Sequence, residues 1–235
     1  MKLVFLLEAP MNAIRKAGLL LGAALMAGCI ERNAPTALRN QPGVAFDAAG
    51  LTSVVNDSPG DVKNGVPGWQ DIVRTDVSKK DRTFVLTMDL AEIVPANPPV
   101  PSGGTTASHF WIWGFDTDPA AFPEGKGGVF PSGPGSAGNP SEFFLDVEWD
   151  GTQFTGKVYD LRPLLKGEPM VVTPGQPFTI VGARITLSVA ASALGDPSTF
   201  GWGTATCTRH SDKFGTEAFQ CFDNAPDAGF TTWPQ

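Results

Sequence analysis

The 235-residue sequence is poor in the side chains that do most enzymatic chemistry, with only two histidines, His109 and His210, and three cysteines. A serine hydrolase needs a histidine beside its nucleophile and an acid to orient it. No Gly-x-Ser-x-Gly elbow and no His-Glu-x-x-His helix occurs. His109 heads an aromatic run and reads as a strand residue. The usual parts for hydrolysis are missing, and the chain is expected not to be an enzyme. Basic residues are also scarce, 17 Lys and Arg against 24 Asp and Glu, and they form no cluster. Phosphate binding relies on clustered Lys and Arg, so nucleic acid is excluded as a partner. No apolar run approaches the roughly 20 residues that span a bilayer, there is no long helical periodicity, and no internal repeat is found. Hydrophobic residues still make up 42% of the chain, enough for a real core and against global disorder.

The N-terminus carries a processing signal. Arg15 and Lys16 precede a short apolar run, Ala17 to Ala24, and then Leu25-Met26-Ala27-Gly28-Cys29. A basic start, a short apolar segment and small residues before a cysteine make a bacterial lipoprotein signal peptide over residues 1–28. Translation is expected to begin at Met11, since Glu8 and Pro10 sit badly in such a peptide. Cys29 would become the acylated first residue, carrying diacylglycerol and palmitate-type chains, and two or three chains hold a protein firmly where one does not. The partner implied is a membrane, reached through lipid. The location implied is the cell envelope, and Ile30 after the cysteine implies the outer membrane where the host has one. Residues 29–42, with Pro35 and Pro42, read as a flexible tether. The leader has a net charge of +2 (Lys2, Arg15 and Lys16 against Glu8), so the formal −7 of the whole chain becomes −9 after cleavage.

With Cys29 committed to lipid, Cys207 and Cys221 remain in an exported protein. Pairing is the expected state, closing a loop that holds His210, Lys213 and Phe214; a two-cysteine metal site is the weaker alternative.

Residues 43–235 read as one all-β domain, a β-sandwich of two antiparallel sheets with long Gly/Pro-rich loops. Apolar and polar residues alternate over Val73–Val77, Phe84–Leu90, Phe143–Trp149 and Ile185–Val189. Phe110–Phe115 is apolar on both faces. Ser78–Arg82 reads as a hairpin turn, and Asp150-Gly151 turns into a strand at Phe154–Tyr159. Ala190–Leu194 reads as a helical turn ended by Gly195, and Phe200–Thr206 as the last of roughly eight strands. Val44 and Phe46 would begin the first. Two loops, Pro95–Ser108 and Pro119–Pro140, are long enough to be functional or mobile.

Three groups of residues are candidate sites. Acidic turns occur at Asp57 and Asp61, at Asp116 and Asp118, and at Asp223 and Asp227. Calcium takes six to eight oxygens, which short Asp-rich loops supply; Asp is also an ordinary turn former. Both readings stay open, and no run matches an EF-hand. Among the tryptophans, Trp111 and Trp113 share a strand face with Phe115 and read as core. Trp69 and Trp233 are less constrained and are the candidates for stacking on a sugar. Asp146 and Glu148 share one face of a strand, at the spacing of a glycosidase carboxylate pair and also of any solvated strand face.

The ordered series Asp57-Ser-Pro-Gly-Asp61, Trp69-Gln-Asp71-Ile72-Val73, Asp116-Thr-Asp118, Glu142-Phe-Phe-Leu145-Asp146, Ala191-Ser-Ala-Leu-Gly195 and Asp223-Asn-Ala-Pro-Asp227 resembles exported bacterial sandwich domains of the DOMON and family 9 carbohydrate-binding-module group, over about Val54 to Asp227. The resemblance implies a two-sheet sandwich that binds a sugar or a haem, or serves as an accessory module. Haem needs axial Met and His, which this chain supplies poorly. The expected function is a lipid-anchored, non-catalytic binding module, with carbohydrate as one ligand class. The alternatives are an assembly lipoprotein that contacts other envelope proteins, and a glycosidase using Asp146 and Glu148.

Overall fold

A computed structural model describes residues 51–62, 65–100, 104–121, 129–130, 139–212, 214–227 and 229–234. The expected leader over residues 1–28, the expected acylation at Cys29, the expected tether, the expected strand start at Val44 and Phe46, Lys213 and most of the Pro119–Pro140 loop lie outside these residues.

The domain is a sandwich of two antiparallel sheets. The first contains β1 (Thr52–Asn56), β2 (Ile72–Lys80) and β3 (Thr83–Leu90). A short ribbon of β5 (Val129–Phe130) and β6 (Asn139–Pro140) stands apart, between β4 (Gly104–Asp116) and β7 (Phe143–Trp149). Then come β8 (Phe154–Asp160), β9 (Val171–Pro174), β10 (Phe178–Val181), β11 (Arg184–Ala190), β12 (Phe200–Asp212), β13 (Glu217–Ala225) and β14 (Thr231–Trp233). Sheet one runs β1-β2-β3-β11-β10. Sheet two runs β13-β12-β4-β7-β8-β9, with β14 continuing the β13 side of β12.

Period-two patterning decides which face is buried. Phe84, Leu86, Met88 and Leu90 of β3 and Ile185, Leu187 and Val189 of β11 point inward and are buried, while Val85, Thr87 and Asp89 are half-buried. Trp111, Trp113 and Phe115 of β4 meet them from sheet two, with Phe143, Leu145, Val147 and Trp149 of β7. Three of the buried indoles find acceptors: Trp111 donates to the Trp69 carbonyl (3.1 Å), Trp113 to Thr75 Oγ1 (3.3 Å) and Trp202 to Ser53 Oγ (3.0 Å). Burial of a polar group without such a partner is costly.

Several boundaries differ from the sequence reading. The turn between β2 and β3 is only Asp81-Arg82, with Asp81 in the left-handed region at φ 55°, so Ser78 and Lys80 belong to the strand. β4 begins at Gly104, which shortens the first long loop, and β12 continues to Asp212 and is followed by two further strands. The helical turn at Ala191–Leu194 is a 3-10 turn closed by Gly195 in the left-handed region.

Cys207 and Cys221 face one another across β12 and β13 and form the expected disulfide, 14 residues apart in sequence. Closing a loop of that length stabilises by about 3 kcal/mol, chiefly by restricting the unfolded chain. Reduction is therefore expected to lower Tm by roughly 6–12 °C at this domain size, measured by differential scanning calorimetry with and without reductant. An unchanged Tm would show that the β12–β13 ladder alone holds this edge.

Candidate metal centre

Five aspartates from three separated segments converge where the first loop of sheet one meets the last long strand of sheet two. Asp57 follows β1, and its backbone N–H donates to the Val73 carbonyl (3.0 Å). Asp61 lies beyond the Pro59-Gly60 turn. Asp71 closes the 3-10 turn Gly68–Gln70 and immediately precedes β2. Asp223 lies in β13 opposite Thr206, and Asp227 follows the end of that strand. Carboxylate oxygens of Asp57, Asp61 and Asp227 lie within 4.8 Å of one another, as do those of Asp61, Asp71 and Asp223.

Backbone hydrogen bonds fix the buried members. Asp223 Oδ2 accepts the Ile72 N–H (2.5 Å) and its Oδ1 accepts the Asn224 N–H (2.8 Å). One aspartate thereby ties β13 of sheet two to β2 of sheet one. Asp71 Oδ2 accepts the Gly60 N–H (2.8 Å), folding the Asp57–Asp61 turn back onto β2. Gly60 has φ 87°, which favours glycine at this bend. Asp57 Oδ1 accepts the Ser58 N–H (2.9 Å). Among the described residues, Asp57 Oδ2 and Asp71 Oδ1 are left buried with no hydrogen-bond partner, and Asp71 as a whole is only 4% exposed. A buried carboxylate oxygen without a donor is expensive unless a cation or a proton meets it.

The electrostatics point the same way. Burial, then the charges of Asp61, Asp227 and Asp71, push Asp57 up to about 6 against the Ser58 hydrogen bond. Burial pushes Asp223 up to about 7 against the Ile72 hydrogen bond, helped by Asp57 and Asp61. Asp61 is raised by burial and by Asp227 and Asp71. Among the described residues, every neighbouring charge acting on these three is another carboxylate. An oxygen-only donor set with no histidine or cysteine suits a hard divalent cation, calcium above all.

Asp116 and Asp118 do not join this cluster. Asp116 is opposite Gly201 on β12, whereas Asp223 is opposite Thr206. Five residues of strand separate them, roughly 17 Å at about 3.3 Å per residue. They gather around Glu142 instead, whose Oε2 accepts the N–H groups of Thr117 (2.6 Å) and Asp118 (3.2 Å) and the Thr117 hydroxyl (3.1 Å). A cation already stands nearby, since Glu142 acts on the Arg162 guanidinium. Asp71, conversely, is the member the sequence reading missed as a ligand. Its only signal is a carboxylate directly before a strand start, which any turn aspartate would match.

The two tryptophans proposed to stack on sugar are core residues. Trp233 is 1% exposed and stacks on Phe200 at 5.0 Å, with Phe84 edge-on at 5.2 Å. Pairing of β14 with β12 carries it inward. Trp69 is 5% exposed, edge-on to His109 at 4.9 Å. Neither presents a face to a ligand. His109 is buried and bonded at both nitrogens. Its Nε2–H donates to the Pro99 carbonyl (3.0 Å), which can only accept, so its Nδ1 accepts from Thr208 Oγ1 (2.8 Å). Burial holds its pKa below the usual histidine value.

No protein family, curated protein or solved structure matches the chain.

Asp146 and Glu148 do share a face, the outer one of sheet two, and both are buried, at 3% and 4% exposure. Two cations engage Glu148 directly: Lys157 Nζ bonds its Oε2, and Arg209 lies 3.7 Å from its Oε1. Asp146 Oδ1 has no hydrogen-bond partner among the described residues. Burial, then Glu148, pushes Asp146 up to about 8 against the opposing Lys157 charge and a hydrogen bond from Tyr159.

Proposed function

We propose that this protein is an exported, lipid-anchored, non-catalytic β-sandwich module whose ligand-bearing face is braced by calcium. What supports the reading is the convergence of Asp57, Asp61, Asp71, Asp223 and Asp227, two of them with buried oxygens that lack a donor. Bound calcium would neutralise the mutual repulsion of these carboxylates. It would also clamp the Asp57–Asp61 turn and the Asp223–Asp227 segment against β2, joining one sheet to the other. Modules exposed to millimolar extracellular calcium use weak sites, with Kd around 10⁻⁴–10⁻³ M, and a site on an exported domain fits that range. The ligand class is carbohydrate or another envelope component, in keeping with the resemblance to carbohydrate-binding sandwiches; with Trp69 and Trp233 in the core, any sugar contact falls to other side chains. The deciding experiment is calorimetric titration of calcium into the chelator-stripped chain, expected to show saturable binding. Absence of binding at 10-fold above about 1 mM, the weak end of this range, would overturn the reading.

The anchor has its own test. Cys29→Ser is expected to shift the protein from the membrane pellet to the soluble fraction and to remove acyl mass from its first mature residue. A variant that still sediments with membranes would defeat the lipid-anchor reading.

A further inference from the structure

The five carboxylates do not form one equidistant ring. They fall into two triads, Asp57-Asp61-Asp227 and Asp61-Asp71-Asp223, that share Asp61. We propose that the centre takes two divalent cations, with the Asp61 carboxylate bridging them. This rests on the calcium reading above and adds its stoichiometry and its division of labour.

Three observations carry it. First, calcium–oxygen distances of about 2.4 Å put two ligands of one ion no more than about 4.8 Å apart, and each triad meets that limit by itself. Second, each triad holds its own buried oxygen with no donor among the described residues, Asp57 Oδ2 in one and Asp71 Oδ1 in the other. A single ion seated in one triad leaves the other orphan unmet. Third, charge favours two ions. Five ionised aspartates around one calcium leave a net charge of −3, whereas two calcium ions leave −1. A carboxylate serving both ions sets them roughly 4 Å apart, as in other two-metal sites.

The two positions differ in kind. The Asp61-Asp71-Asp223 position has two buried ligands held by the N–H groups of Gly60 and Ile72. It is preorganised and binds first. The Asp57-Asp61-Asp227 position has two exposed ligands, Asp61 and Asp227, and fills second and more weakly. Its exposed side leaves room for water or an outside oxygen donor among the six to eight ligands calcium takes.

The test is calcium titration of the chelator-stripped full chain by isothermal calorimetry, with ions per chain counted by native mass spectrometry. Wild type is expected to bind two ions in two phases. Asp227→Asn, an exposed and near-isosteric change, should remove the weaker phase only. Asp71→Asn should remove the tighter phase, and Asp61→Asn should weaken both at least tenfold. A far-UV circular dichroism spectrum equal to wild type shows that each variant is folded. One ion per chain in wild type, or equal loss of both phases in Asp227→Asn, would overturn the two-ion centre while the calcium reading stands. No ion at all would overturn both.

Discussion

Calcium is expected to raise the Tm of the chelator-stripped protein by roughly 5–10 °C at pH 7.5 and by little at pH 5. Ligand at a hundredfold excess over Kd stabilises by about 2.7 kcal/mol, and about 2–4 °C accompany each kcal/mol at this size. The pH dependence follows from the sign of the shifts. Asp57 and Asp223 are raised by folding to about 6 and about 7. The metal-free folded state therefore holds protons that the unfolded chain has released, and its stability falls as pH rises from about 4 through 7. At pH 5 protons occupy the centre and compete with the metal; at pH 7.5 they are gone, repulsion is fully expressed, and the cation has the most to relieve. A Tm of the metal-free protein that stays flat from pH 5 to 7.5, or a calcium shift equal at both, would contradict this account.

How much of the fold could be read beforehand depended on burial. β3, β7 and β11 have one face in the core and one face half-wet or polar, so their alternation is written into the sequence. β9 is exposed at all four residues and lies at the edge of its sheet, so no face imposes a pattern. β13 reads Glu-Ala-Phe-Gln-Cys-Phe-Asp-Asn-Ala, and its pairing with β12 shifts register between Thr206 and Cys207. A bulge places two residues against one and breaks the period-two rule. Trp233 sat beyond every recognisable strand, and only pairing of three residues with β12 made it core.

The site was legible in part for a related reason. Asp57, Asp61, Asp223 and Asp227 stood out as short acidic turns, and the structure brings all four together. Asp116-Thr117-Asp118 looked the same. What separates it is strand register, which fixes its place five residues along β12 from the cluster. Register is a long-range property, set by which strands pair, and no local window of sequence contains it. Asp71 was hidden by the opposite effect, as a lone carboxylate whose partners Asp61 and Asp223 come from about 10 residues earlier and about 150 residues later in the chain.

Asp146→Asn is expected to flatten the alkaline limb of the stability profile and to leave the protein at least as stable as wild type above pH 8. Asp146 is buried on the outer face of sheet two, where Lys157 and Arg209 both engage Glu148; Tyr159 hydrogen-bonds Asp146, but its Oδ1 meets no donor among the described residues. With burial and Glu148 raising it to about 8, it is mostly protonated at neutral pH. Its stabilising proton is fully present below about pH 4 and is lost as pH rises through 8. Deprotonation costs on the order of 5 kcal/mol across that span, about 1.4 kcal/mol of it between pH 7 and 9. The corresponding fall in Tm is roughly 3–6 °C over the last two pH units, measured with calcium saturating so that Asp57 and Asp223 are silent. Asparagine keeps the shape and cannot ionise, so that fall should vanish in the variant. The same variant addresses the glycosidase alternative. A catalytic Asp146 would give wild type turnover of a chromogenic glycoside that Asn abolishes; the expected result is no turnover in either protein, with only the pH profile of unfolding changed. Activity in wild type that disappears in Asp146→Asn would make the outer face a catalytic one and end the non-catalytic reading.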